Sequence, residues 1–94
     1  MFVLHIEHAV TDYDAWKRIF DTDPLDRKAS GVTSFRIMRP VGDSGSVMID
    51  LEFGSREAAE RMHTALEELW KGPAAAVAIS PHVMITELVE AATL

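Results

Sequence analysis

The chain has no cysteine. That excludes disulfides, thiolate zinc sites and a cysteine nucleophile. It has no basic excess either: Lys and Arg total 9 against 15 Asp and Glu, for a net charge of −6. Nucleic acids and anionic membranes reward a positive stripe through counterion release. Neither is expected as a partner. No apolar run approaches the ~18 residues of a membrane span. The start, Met-Phe-Val-Leu-His-Ile-Glu, lacks the basic beginning, apolar run and small-residue cleavage site of a secretory signal. A cytoplasmic protein is the expectation. With 5 glycines and 4 prolines, all at separated punctuation points, no linker or low-complexity segment divides the chain. Its 94 residues, 48% apolar and 26% charged, suit one domain, residues 1–94, with a single packed core.

What is present is strong alternation. Ser46 to Phe53 places Val47, Ile49, Leu51 and Phe53 on one face and Met48, Asp50 and Glu52 on the other, the period-two signature of a strand. Phe2 to Val10 repeats it, with Phe2, Leu4 and Ile6 opposite Val3, His5 and Glu7. Val32 to Arg39 places Thr33, Phe35 and Ile37 opposite Ser34, Arg36 and Met38. A last strand runs from His82 to Glu90. Both its faces are apolar; Val83 and Ile85 are assigned inward, His82, Met84 and Thr86 outward.

Between strands lie helical periods. Thr11, with Asp14 three residues on, reads as a capping-box-like start. Tyr13, Trp16, Ile19 and Phe20 then form one apolar stripe. Asp23-Pro24 stops this helix; Leu25 to Ser30 reads as a second short helical piece ending at Gly31. Ser55 is a good N-cap for Arg56 to Lys71, whose stripe is Ala59, Met62, Leu66, Leu69 and Trp70. Gly72-Pro73 ends it. Ala74 to Ile79 is small and apolar and reads as one helical turn.

The order β-α-β-β-α-β implies an α+β, ferredoxin-like domain: a four-stranded antiparallel sheet, spatial order 4-1-3-2, with both helices on one face. The other face carries Val3, His5, Glu7, Ser34, Arg36, Met38, Met48, Asp50, Glu52 and Met84. Val3, Met38, Met48 and Met84 would sit exposed there, and apolar patches mark contact surfaces. A homodimer through the open sheet faces is therefore expected.

At this point the chain resembles the dimeric α/β-barrel superfamily, in particular small proteins similar to antibiotic-biosynthesis monooxygenases. The resemblance rests on Phe-Val-Leu-His-Ile-Glu at residues 2–7, Tyr13-Asp14-Ala15-Trp16, Gly31-Val32, and Phe53-Gly54-Ser55-Arg56-Glu57-Ala58. It implies face-to-face sheets, a ligand cavity on the open face, and a small-molecule-acting protein similar to cofactor-independent monooxygenases or cyclases of flat apolar or aromatic substrates. It implies no bound metal or other cofactor. The alternative is a non-catalytic ligand-binding or dimerisation module of the same fold. Many members carry a histidine seven residues after the serine that opens the second helix. Here that residue is Met62, and His63 is turned about 100° away. The Asn-Trp-His set of haem-degrading members is not recognisable, because the chain has no asparagine.

Chemistry-bearing residues gather on the open face. His5, Glu7 and Asp50 are the catalytic candidates, since a carboxylate can fix the tautomer of an imidazole base and raise its basicity. Arg36, Met38, Met48, Glu52, Met84 and Trp16 are the ligand-binding candidates. The competing and preferred reading of the polar group is a charge-satisfied ladder at a dimer interface. A metal at His5, Glu7 and Asp50 is possible by ligand type, but the spacing is no known signature. His8 falls on the inward parity and reads as a satisfied structural histidine. Trp16 and Trp70 read as core or interface aromatics, with a cavity wall as the other use.

Overall fold

A computed structural model describes residues 1–94, apart from the side chain of Pro73. The elements are β1 (Phe2–Ala9), α1 (Tyr13–Asp21), β2 (Val32–Met38), β3 (Ser46–Phe53), α2 (Arg56–Leu69), a 3₁₀ turn (Pro73–Ala76) and β4 (Ile79–Glu87). The sheet is antiparallel with order β2-β3-β1-β4. The ferredoxin-like α+β arrangement is therefore as expected. Among the described residues, no helix is long and apolar enough to cross a membrane.

The register sorts side chains into rows that run across the sheet. On the helix-covered face, Ile85, Leu4, Leu51 and Phe35 form one row, and Val83, Ile6, Ile49 and Ile37 another. Leu4, Val47 and Phe53 are fully buried. Val83 and Ile85 pack against this core, so the last strand faces as expected. On the open face the rows are His82–Glu7–Met48–Met38, Met84–His5–Asp50–Arg36, and Thr86–Val3–Glu52–Ser34.

Several local expectations are corrected. The N-cap of α1 is Asp12, not Thr11; its carboxylate accepts from the Ala15 amide at 3.1 Å. Both residues carry a capping oxygen, and the helix starts one residue later than the Thr11 reading. Residues 25–30 are turns rather than a helical piece. Asp23 and Asp26 adopt φ of 55° and 48°, a left-handed conformation that Asp tolerates and that interrupts a helix. In β2 a bulge between Val32 and Ser34 consumes one residue of alternation. Val32, opposite Phe53, is buried, and Thr33 is exposed. Gly31 precedes it at φ 100°, with space for a Cβ only 3.3 Å from that of Ala58; the chain needs glycine there for both reasons. β4 starts at Ile79 and ends at Glu87, earlier at both ends than the pattern 82–90.

The open face is also less greasy than the sequence implies. Val3 is buried within its own chain, Met38 and Met48 are half-buried, and only Met84 of the four, at 63%, is widely exposed.

Candidate functional site

On the open face, neighbouring strands bring four of the predicted residues, Glu7, His5, Asp50 and Arg36, into one hydrogen-bonded line. His5 Nδ1 lies 2.6 Å from Asp50 Oδ1, and His5 Nε2 lies 2.9 Å from Glu7 Oε1. Arg36 donates to Asp50 Oδ2 at 2.9 Å, and Ser34 donates to Glu52 Oε2 at 2.8 Å. A neutral imidazole has one donor and one acceptor, whereas both nitrogens here face carboxylate oxygens. The hydrogen bonds to Glu7 and Asp50 accordingly raise the pKa of His5, against a smaller opposing effect of burial. Burial pushes Asp50 upward, but its bonds from His5 and Arg36 outweigh that and hold it below its ordinary value. When both nitrogens donate to these carboxylates, the imidazolium has no free lone pair with which to act as a base. Among the described residues, no group of three or more His, Asp or Glu side chains is arranged to hold a metal ion.

The line predicts a pH dependence. A histidine whose pKa is raised on folding contributes stability in full below its unfolded value, near 6.5; that contribution is lost as pH rises through the folded value. His5→Gln should lower the melting temperature clearly at pH 6 and much less at pH 9. Equal losses at both values would contradict a charged His5.

The opposite side of the sheet holds a second feature. Between sheet and helices lies an apolar cleft of about 80 Å³, walled by Ile6, Trp16, Leu51, Met62, Leu66 and Trp70 among others. Met62, on the α2 stripe, is buried; His63, one residue on, instead pairs with Glu67 at 3.2 Å. Trp16 is thus separated from the other predicted ligand-binding residues, Arg36, Met38, Met48, Glu52 and Met84, which all lie on the open face. Trp16 anchors an aromatic row: His8 at 5.6 Å, Tyr13 at 5.7 Å and Phe20 at 5.2 Å between ring centroids, with Phe35 a further 5.2 Å from Phe20. Arg27 lies over Phe20 at 4.0 Å and donates to the Phe20 carbonyl.

His8 is the buried polar side chain of this side and also lines the cleft. Its place there follows from β4. Glu7 pairs with His82 and Ala9 with Ile79, so a bulge containing Ser80 (φ 52°) and Pro81 lies beside His8. No β4 residue stands in register with His8 to cover it as Val83 covers Ile6. The inward parity of His8 was readable from the alternation of the first strand; the bulge was not.

The arrangement as a whole, an antiparallel four-stranded sheet with two helices on one face, is the fold of the antibiotic-biosynthesis monooxygenase-like and dimeric ferredoxin-like proteins. The chain is similar in structure to a point mutant of SnoaB, a cofactor-independent oxygenase from Streptomyces nogalater. The TM-score is 0.76 at 11% identity, over 96% of this chain and 94% of that one. It is similar to a point mutant of MhuD with two manganese protoporphyrin IX bound per active site, at TM-score 0.74 and 18% identity, over 99% of each chain. It is also similar to a dimeric ferredoxin-like protein from an uncultured marine organism, at TM-score 0.68 and 10% identity, over 100% of each chain. No protein-family model and no curated protein sequence matches it.

Proposed function

We propose that this chain is a homodimeric, small-molecule-acting protein that takes a flat apolar or aromatic ligand in the cleft between sheet and helices, of the same general kind as the cofactor-independent oxygenase among its structural relatives. The observation that carries this reading is the composition of the cleft. Its wall is almost wholly apolar and includes both tryptophans of the chain, the make-up of a small-molecule site with few polar groups. The open-face residues His5, Glu7, Arg36, Asp50 and Glu52 are read as an interface ladder in the dimer. They are already paired with one another.

The size of the cleft sharpens the proposal. A closed apolar cavity of ~150 Å³ holds benzene, so the 80 Å³ cleft must widen to accept even one ring. A porphyrin does not fit, and no haem chemistry is ascribed to the chain. The same narrowness favours a second reading, a binding module with no turnover.

Both tryptophans line the cleft, so intrinsic fluorescence reports on it directly. Titration with toluene or phenol should give a saturable change; its absence with both would overturn the ligand site. Binding without conversion of any aromatic ligand in air would select the binding module. Light scattering should give about twice the chain mass of 10.4 kDa, and a monomer at micromolar concentration would remove the paired-sheet assembly.

A further inference from the structure

We propose that the Nε2 lone pair of His8 is the polar recognition point of the cleft and accepts a hydrogen bond from a bound ligand, so that the cleft selects flat apolar molecules bearing a hydroxyl, phenols and enols, over plain hydrocarbons. This rests on the reading of the cleft as a ligand site and goes beyond it by naming the ligand's chemistry.

The geometry of His8 is specific. Nδ1 lies 3.0 Å from the Ala9 carbonyl oxygen. A carbonyl only accepts, so Nδ1 carries the proton and donates, and Nε2 is left with its lone pair. The ring meets Trp16 edge-on at 61°, which holds its plane. Among the described residues Nε2 has no hydrogen-bond partner, and no fully buried side-chain nitrogen or oxygen is left without one. Nε2 is therefore not sealed in the core, on a ring that lines the cleft. Burial depresses the basicity of the ring, against a smaller opposing effect of its bond to Ala9, which keeps it neutral and able to accept.

The charged groups around the cleft do not compete. Asp23 and Arg27, on the turn after α1, line it too. Asp23 Oδ1 accepts from the Arg27 amide at 2.9 Å and lies 3.4 Å from its guanidinium, which also bonds the Phe20 carbonyl. The lining contributed by β3, α2 and the 3₁₀ turn is apolar apart from the indole N–H of Trp70. Among these, His8 Nε2 is the uncommitted neutral acceptor; Asp23 Oδ2 is also without a bond but belongs to a partly exposed carboxylate that is paired with Arg27 through Oδ1. An apolar ligand offering one O–H gains a hydrogen bond where a hydrocarbon leaves Nε2 dry and unpaired, which is the costlier state. The proton stays on the ligand oxygen and is shared with Nε2 as a hydrogen bond, because the burial that keeps His8 neutral also disfavours an imidazolium beside an oxyanion.

The test uses the full chain and two probes of nearly equal shape, phenol and toluene. Nitrogen-15 NMR of the unliganded protein at pH 7 should show His8 neutral with its proton on Nδ1. A proton on Nε2, or a charged ring, overturns the proposal whether or not any variant folds. Phenol, and not toluene, should shift the Nε2 resonance. In His8→Leu the affinity for phenol should fall about three- to tenfold while that for toluene holds or improves. That change in ratio is something a purely structural histidine would not produce. Equal losses for both probes overturn the role of His8 and leave the ligand site standing. Failure of both probes to perturb tryptophan fluorescence in the unaltered chain overturns the ligand site and the proposal together.

Discussion

Replacing Phe53 by alanine will cost about 3–5 kcal/mol of stability, the range for buried aromatic truncations, against a total of roughly 5–15 kcal/mol for a small domain. The ring is fully buried at the end of β3. It faces Phe2 on one side and Val32 on the other, and it lies 3.7 Å from the position a Gly31 Cβ would take. The β2 bulge, the glycine turn before it and the edge of β1 all close on this one side chain. Relaxation cannot fill the gap, because each neighbour is fixed by backbone hydrogen bonding. Urea unfolding should show the midpoint collapsing for Phe53→Ala. It should move far less for Phe35→Ala, where the ring sits on the edge strand and is 46% exposed. A Phe53→Ala midpoint within reach of the Phe35→Ala one would refute this account of the core.

Trp16→Ala should lose a similar amount, about 3–5 kcal/mol, with an added consequence. The indole holds Tyr13, His8 and Phe20 together, and its removal enlarges the 80 Å³ cleft by most of a side chain. A cavity of that origin retains the shape of what left it. Added indole should therefore raise the melting temperature of the variant, and a ligand at 100 times its dissociation constant returns about 2.7 kcal/mol. Indole should raise the melting temperature of the unaltered chain less, because its cleft must first widen to take it. A variant that melts early and ignores indole would mean that α1 collapses onto the sheet, and that Trp16 fills space without defining it.

The contrast between these sites and the turns shows where sequence is informative. Leu4, Ile6, Val47, Ile49, Leu51 and Phe53 were legible as one inward surface because unbroken alternation leaves a strand no other way to bury them. The His5–Asp50–Arg36 row followed from the strand order. Its chemistry did not, since alternation alone does not say that both imidazole nitrogens are occupied. Val32 was missed because a bulge shifts parity by one without any marker beyond the preceding glycine. Asp23 and Asp26 were missed because their left-handed conformations are set by local hydrogen bonds to Arg27 and Ala29, while residues 25–30 have unexceptional helix propensity. The cavity expected on the open face would be closed by a partner sheet; the apolar cleft lies beneath the helices instead. Only the backbone shows that the β4 bulge leaves His8 uncovered there.

The position of β1 has a consequence for how the chain is made. It precedes the other strands of its sheet along the chain and is an interior strand of the finished sheet, flanked by β3 and β4. His5 meets Asp50 across 45 residues, and Val3 meets Thr86 across 83. Such distant pairings cannot form during early synthesis, and they slow folding once synthesis ends. Until then β1 offers two unpaired edges and an apolar face to whatever is nearby, the circumstance in which strands join the wrong neighbour. On a crowded polysome the nearest neighbour is the β1 of another nascent copy. The polar outward residues His5 and Glu7 then interrupt that apolar strand in the interval before Asp50 is in place.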